Sequence, residues 1–202
     1  MVSNAAHDEE RIVFDLTKVP FYHLDDGKLE AFAILCVMVA GKNATTCQKI
    51  LKKFFELTQP WYGYIESPFL LIRRMQLLDT EYFLKKAGMG CYTAKARTIY
   101  DLAHSRLNLR TCSVDDLETI KGIGPKTSRF FVVHTRPNAK YAILDTHMLR
   151  HLRDMGIRAP KSTPTSATYA RLEKAVLYFA EQKGLSPAEY DIAVWKLYSG
   201  RG

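Results

Sequence analysis

The chain has 202 residues, long enough for one sizeable hydrophobic core or for two smaller subdomains. Hydrophobic residues make up 47% and charged residues 25%, which is ordinary for a globular protein, and the apolar run 31–40 is too short to span a bilayer. Lysine and arginine outnumber the acidic residues by 29 to 21, and the formal net charge of +8 favours a polyanionic partner, although basic charge alone is weak evidence.

The four cysteines show no CxxC spacing, and we interpret them as buried, reduced thiols of an intracellular protein. They are Cys36, Cys47, Cys91 and Cys112. The N-terminus lacks the pattern of a signal peptide. We therefore expect a cytoplasmic or nucleoid-associated protein with no membrane partner.

The first half of the chain predicts a series of helices. Residues 1–27 are mixed, and we expect there a short helix or extended piece that packs on a distant segment. Lys28–Ala40 is apolar on nearly every side, as in a helix at the centre of a bundle. Gly41-Lys42-Asn43 ends that helix, and Thr45 or Thr46 is suited to cap the next one. Its apolar stripe contains Cys47, Ile50, Leu51, Phe54 and Phe55; a loop is predicted at 61–68, and helices at 68–77, 79–87 and 92–107.

A glycine hairpin joins two short helices near the middle of the chain. Ser113 is suited to cap the first helix, and Asp116 completes a weak capping box. Gly122 and Gly124 bracket a tight reversal, for which we expect the positive φ that glycine adopts at low cost. Pro125 suits the first turn of the second helix, where its missing N–H costs nothing. The turn amides and the positive end of that helix predict an anion site of phosphate size.

The remaining chain also reads as helical. The second hairpin helix ends at Arg136-Pro137-Asn138, and residues 141–144 are short and extended before Asp145 caps another helix. Residues 160–164 form a linker, followed by helices near 166–183 and 187–198. Because no alternating strand run or internal repeat is evident, we predict an all-α fold.

The hairpin pattern, an apolar residue, Gly122, a second apolar residue, Gly124 and then Lys126, resembles the helix-hairpin-helix of DNA glycosylases. Further along, Ile143–Arg150 is similar to the segment that supplies the invariant aspartate of that superfamily. Gly90–Ala96 resembles the family's entry to the helix before the hairpin.

The resemblance is closest to the archaeal-type 8-oxoguanine DNA glycosylases. Endonuclease III usually ends in a four-cysteine iron–sulfur loop, whereas no cysteine follows Cys112 here. The family likeness implies two helical subdomains with a DNA-binding cleft between them. Residues 28–136 would form the central bundle, and residues 1–27 would join residues 137–202 in the second subdomain, with Lys126 and Asp145 on opposite sides of the cleft.

Lys126 is the residue to which we assign covalent chemistry. The helix macrodipole disfavours a positive charge in a first turn, and the same field favours the free amine. A free amine can attack C1′ of the deoxyribose, expel the base and form a Schiff base that permits β-elimination. A lysine that only contacts phosphate or solvent is the alternative.

Asp145 has both a structural and a catalytic interpretation. As an N-cap it would serve the helix alone. The family resemblance implies that its carboxylate stabilises the oxocarbenium-like transition state and assists deprotonation of the attacking amine.

The resemblance also implies DNA contacts around these two residues. Backbone phosphate would be bound by Gly122, Gly124, Thr127 and Arg129, with a monovalent or divalent cation assisting at the hairpin; we expect no other cofactor. A simple αα-turn is the alternative for the hairpin.

Lys42 and Asn43 align with the loop that probes the base stack, although an ordinary interhelix turn fits them equally well. Trp195 could stack on the extruded base, but an aromatic residue at helical spacing is more often part of a core. His147 and His151 have metal-ligand spacing without a third ligand, so we predict a solvated helix face and no metal site.

We therefore predict a monomeric bifunctional DNA glycosylase and AP lyase that excises an oxidised base, 8-oxoguanine first, from duplex DNA. The alternatives are an oxidised-pyrimidine glycosylase of the endonuclease III type, a non-catalytic helix-hairpin-helix DNA-binding protein, and a helical adaptor with no DNA role.

Overall fold

The computed structural model describes Phe14 and residues 20–199, with the backbone alone for Ser166. These residues form ten helices and no strand, which confirms the all-α prediction. The helices are α1 (Asp26–Val39), α2 (Ala44–Tyr62), α3 (Pro68–Arg74), α4 (Leu77–Ala87), α5 (Tyr92–His104), α6 (Val114–Glu118), α7 (Pro125–Thr135), α8 (Thr146–Asp154), α9 (Ser166–Gln182) and α10 (Pro187–Ser199).

The described residues form two compact units. The first unit contains Phe14 and residues 24–123, and the second contains residues 20–23 and 124–199. The sequence boundary was placed after residue 136, whereas the structure divides the chain inside the hairpin, before Gly124. The physical reason is the packing of α7, because Val133 lies in a small core with Ile143 and Ala188, both of the second unit. Most of the predicted N-terminal piece lies outside the described residues.

α1 is the centre of the first unit. Every residue from Ala31 to Val39 is buried, as expected for a helix that is apolar all round, and α1 packs against α2, α3 and α5. The side chain of Asp25 caps the helix by accepting a hydrogen bond from the Lys28 amide at 2.8 Å. The ring of Phe14 packs on Phe32, with ring centroids 5.3 Å apart.

Two predicted boundaries in the first unit were wrong. Asn43, not Thr45 or Thr46, caps α2, because its side-chain oxygen accepts from the Thr46 amide at 3.0 Å. α2 also extends two residues into the predicted loop, since it ends at Tyr62.

The hairpin is confirmed in its first arm and corrected in its turn. Ser113 and Asp116 form the reciprocal capping box at the start of α6. Gly122 has the expected positive φ of 97°, but Gly124 has a φ of −103° and is extended. Pro125 occupies the first turn of α7 as predicted.

The second unit is held together by α8, α9 and α10. Their shared core includes Leu149, Leu172 and Val194. The hydroxyl of Tyr169 connects α9 to the extended segment before α8, since it donates to the Ala142 carbonyl at 3.0 Å and accepts from the Leu144 amide at 3.1 Å.

None of the four cysteines forms a disulfide among the described residues. Cys36, Cys47 and Cys112 are buried, and burial raises the pKa of both Cys36 and Cys47. The prediction was wrong for Cys91, which is exposed at the start of α5 with a positive φ of 56°. Among the described residues, no helix has the length and apolar character needed to cross a membrane.

Candidate active site

Lys126 lies in the first turn of α7, directly after Pro125, and is half-buried. The N-cap of α7 is Gly124, which provides no side-chain cap, and the first turn of the helix contains no acidic residue. The amine is therefore held near a helix end whose positive field no capping carboxylate offsets.

Asp145 caps the next helix of the same unit. Its Oδ1 accepts a hydrogen bond from the Met148 amide at 2.8 Å, which confirms the predicted cap. Its Oδ2 has no hydrogen-bond partner among the described residues. The carboxylate is half-buried, so this second oxygen can accept a proton or face a positive charge while the first secures α8.

The structure places Lys126 and Asp145 in one unit, whereas the sequence placed them in different subdomains. The carboxylate of Asp191, on α10, connects Lys126 with Asp145, because it interacts electrostatically with both. Water solvates the Asp191 carboxylate only weakly, since its side chain is only 14% exposed. Burial raises the pKa of Asp191, and the hydrogen bond to His134 opposes this rise; Asp145 adds to it to a smaller extent, and Lys126 opposes it.

His134 is the hydrogen-bond partner of Asp191. Its Nε2 lies 3.2 Å from Oδ2 of Asp191, and its side chain is 1% exposed. Since the carboxylate accepts, Nε2 carries the proton that is donated. Nδ1 of His134 is buried without a hydrogen-bond partner in the described part of the chain. Sequence reasoning missed this pair; the signal was an acidic residue inside the apolar run of α10.

The side chain of Arg129 also has its partners within the second unit. Its Nε lies 2.8 Å from Oε1 of Glu173, with side-chain exposures of 14% and 13%. Its guanidinium stacks 4.7 Å from the ring centroid of Tyr169, and burial raises the pKa of that tyrosine. The guanidinium is thus paired with Glu173 and packed against aromatic rings, and the phosphate contact of Arg129 stays a prediction.

The hairpin amides differ in what they bind. Thr127 is buried, and its N–H donates to the Gly124 carbonyl at 2.9 Å, so this amide is already engaged. The amide of Gly122, in the first unit, and that of Gly124, in the second, have no acceptor among the described residues.

The predicted base-probing loop lies in the first unit. Asn43 uses its side-chain oxygen to cap α2, which favours the alternative of an interhelix turn. Lys42 is exposed, and its Nζ lies close to Gly90. Lys95, which the sequence did not single out, donates from Nζ to the carbonyls of Val37 at 2.6 Å and Ala40 at 3.0 Å, and so holds the end of α1 before this loop.

The aromatic and histidine candidates of the second unit have different environments. Trp195 is half-buried on α10, one turn after Asp191. The predicted solvated histidine face was wrong for His151, whose ring lies between Tyr190 and Tyr198 and whose Nε2 is 2.9 Å from the Tyr190 hydroxyl. Within the described part of the chain, no group of three or more His, Cys, Asp or Glu residues could hold a metal ion.

Comparison with known proteins identifies the family. The family model described as 8-oxoguanine DNA glycosylase matches residues 23–185. The fold is similar to the 8-oxoguanine DNA glycosylase of Thermotoga maritima, with 22% identity, a TM-score of 0.67 and coverage of 98% of this chain and 91% of that one. It is equally similar to the 8-oxoguanine glycosylase/lyase of Methanocaldococcus jannaschii in complex with 15mer DNA containing 8-oxoguanine, with 22% identity, a TM-score of 0.67 and coverage of 98% and 93%.

Proposed function

Because the chain belongs to the 8-oxoguanine DNA glycosylase family, we propose that it excises 8-oxoguanine from duplex DNA and cleaves the strand through a Schiff base on Lys126. The observation that carries the assignment of residues is the common environment of Lys126 and Asp145. Both lie in one unit, both are half-buried, and both act on the same buried carboxylate.

The proposed reaction begins with attack of the Lys126 amine on C1′ of the damaged nucleotide. The bond from C1′ to the base breaks, and the base leaves with the electron pair and takes up a proton. Asp145 accepts the proton that the attacking nitrogen loses, and its charge stabilises the positive character at C1′. The sugar ring opens to an iminium ion; loss of a C2′ proton then breaks the C3′–O bond and cuts the strand.

The proposed DNA contacts use main-chain groups of the hairpin. The predicted phosphate contacts are the main-chain amide of Gly122, in the first unit, and that of Gly124, in the second, each with a cation to assist it. The net charge of +8 adds a favourable long-range field for DNA. We propose that the protein acts as a monomer on chromosomal DNA in the cytoplasm.

The lesion is tested by single-turnover assays on matched duplexes carrying 8-oxoguanine, thymine glycol or uracil. We expect base release from the 8-oxoguanine duplex at least about tenfold faster than from the others. Equal rates on all three would overturn the 8-oxoguanine assignment, and faster release of thymine glycol would favour an endonuclease III type of specificity.

The chemistry is tested with Lys126→Gln and a matched control, Lys174→Gln. Lys174 is an exposed lysine on α9 of the same unit, so both variants lose one positive charge. We expect Lys126→Gln to lose strand cleavage by a factor of about 10³ or more, and Lys174→Gln to retain it within about twofold. DNA binding without base release or strand cleavage by the wild type would identify a binding module instead.

A further inference from the structure

The buried pair of His134 and Asp191 lies beside the proposed catalytic residues. His134 is on α7, as Lys126 is, two turns later on the same face, with Phe130 between them. The rings of Phe130 and His134 are in edge contact, with centroids 5.0 Å apart. α10 packs on this helix and on α8, and it brings the Asp191 carboxylate to both.

Such a pair is costly if it serves the fold alone. Transferring a carboxylate from water to a protein interior carries a desolvation penalty, and one hydrogen bond to a histidine offsets only part of it. An apolar pair of similar size would hold α7 against α10 at least as well. The position of the charge therefore points to a role in the site.

We infer that Asp191 is a positioning residue for the reaction, supplying a second negative charge that acts on Lys126 and Asp145 and that His134 holds in place. The inference rests on the proposed function of Lys126 and Asp145. The inference goes beyond that function, because it assigns a role to a carboxylate and a histidine that do not contact the reacting atoms.

The benefit of a second carboxylate follows from the charges during the reaction. When Asp145 accepts the proton from Lys126, it becomes neutral, and its own stabilisation of the positive C1′ is lost. Asp191 retains its charge through this step, because His134 continues to donate to it. The iminium ion and the transition state before it therefore keep a negative charge nearby.

The charged and titratable groups around Asp191 define what its removal would do. Lys126 and His134 face it from α7, Asp145 from the start of α8, and Tyr169 from α9. Asp191→Asn removes one negative charge from this cluster. A proton that the reaction must release from the cluster would then be lost at lower pH in the variant.

The test compares Asp191→Asn with the wild type and with Asp154→Asn. Asp154 is a carboxylate of the same unit that accepts from the Tyr198 hydroxyl at 2.8 Å, so the control removes a paired carboxylate elsewhere. The measurement is the single-turnover rate of Schiff-base formation, trapped with borohydride on an abasic-site duplex, from about pH 5.5 to pH 9.

For Asp191→Asn we expect the acid limb of the pH profile, where the rate rises with pH, to move to lower pH by about half a unit or more. The plateau rate should fall about tenfold or more. Asp191→Glu, which keeps the charge, should restore the wild-type midpoint, and Asp154→Asn should leave both midpoint and plateau in place.

A reduced plateau with an unmoved midpoint would overturn the inference, because it would assign Asp191 to stability alone. If Asp191→Asn does not fold, Asp191→Ser removes the same charge with a smaller side chain. Failure of both neutral variants to fold, with Asp191→Glu normal, would also assign the carboxylate to the fold and overturn it. Absence of trapping in the wild type would instead contradict the proposed function.

Discussion

The two units differ in the charged side chains that they bury. In the first unit, the buried polar residues are the threonines Thr58, Thr80 and Thr98, and each hydroxyl donates to a backbone carbonyl of its own helix. The second unit also buries the hydroxyl residues Thr127 and Ser128, but there His134 is buried beside a carboxylate as well, and Arg129 and Glu173 form a second enclosed ion pair.

Buried hydroxyls and buried charges differ in what they cost the folded protein. A buried hydroxyl that donates to a carbonyl of its own helix costs little. Buried charges are costly and are retained where they are paired or used. The buried ion pairs therefore occur in the second unit, which also contains the residues that we propose to react.

The largest expected effect comes from the same substitution at two N-caps. Asp145→Asn and Asp25→Asn both keep a good cap, because asparagine accepts the same amide hydrogen bond at 2.8 Å. We expect Asp145→Asn to lower the single-turnover rate of base release by about 10² to 10⁴, since it removes a charge and a base. Asp25→Asn, in the first unit, should leave that rate within about twofold. Equal losses in both variants would remove the distinction between the two units.

The two ion pairs offer the next comparison, measured by urea denaturation. Arg129 and Glu173 are 2.8 Å apart and mostly buried, whereas Arg97 and Asp101 of the first unit are 2.9 Å apart with side-chain exposures of 61% and 31%. Glu173→Gln should lower the free energy of unfolding by about 3 kcal/mol, because it leaves Arg129 buried without a counter-charge. Asp101→Asn should lower it by less than about 1 kcal/mol. A small effect of Glu173→Gln would show that Arg129 reaches solvent or DNA after all.

Two glycines of the first unit have nearly the same φ. Their alanine variants distinguish the cost of backbone strain from the cost of a close contact. Gly88 has a φ of 98° with open space around it, and Gly122 has a φ of 97° with the Thr98 hydroxyl against it. Gly88→Ala should cost about 1 kcal/mol of unfolding free energy from the left-handed backbone alone. Gly122→Ala should cost about 2 kcal/mol, because it also displaces the Thr98 hydroxyl from the Lys121 carbonyl, 3.0 Å away.

An equal loss of unfolding free energy in Gly88→Ala and Gly122→Ala would contradict this expectation. It would show that the hairpin relaxes without cost and that the contact between Thr98 and the turn does not fix its shape. Thermal unfolding monitored by circular dichroism provides an independent comparison.

The smallest expected effect is a pH dependence in the second unit. Burial lowers the pKa of His151, Lys183 acts in the same direction, and Asp154 opposes it. The unfolded chain then binds the proton more readily than the folded one, so stability is full above about pH 6.5 and falls as the pH drops below that value. His151→Gln should flatten this dependence between about pH 7 and pH 5. His104→Gln, an exposed histidine of the first unit, should leave it unchanged.

Denaturation midpoints at a series of pH values provide the measurement for both histidine variants. An unchanged slope in His151→Gln would show that other groups produce the acid sensitivity. Some loss of stability at neutral pH is expected as well, because the hydrogen bond to Tyr190 is removed.

Local patterns were enough to predict most of the helices. Asp145 as a cap and the box of Ser113 and Asp116 depend on residues three positions apart, and both are confirmed. Pro125 at the start of α7 follows from its fixed φ. The choice of Asn43 over the neighbouring threonines was missed, since all three are good caps and the sequence does not show which one adopts the extended backbone.

Long-range partners account for the remaining differences. Arg129 is 44 residues from Glu173, and His134 is 57 residues from Asp191. No periodicity of a single helix predicts such pairs, and a lone arginine near a hairpin suggests a phosphate contact more readily than a buried ion pair. The boundary of the second unit depends in the same way on what α7 packs against, which lies far along the chain.

The most direct test is to identify the residue that becomes linked to DNA. The wild-type protein would be reduced with borohydride on an abasic-site duplex and digested, and the modified peptide sequenced by mass spectrometry. The account predicts a single sugar adduct on Lys126, in the second unit. An adduct on Lys42 or Lys121 of the first unit, or no adduct at all, would contradict it.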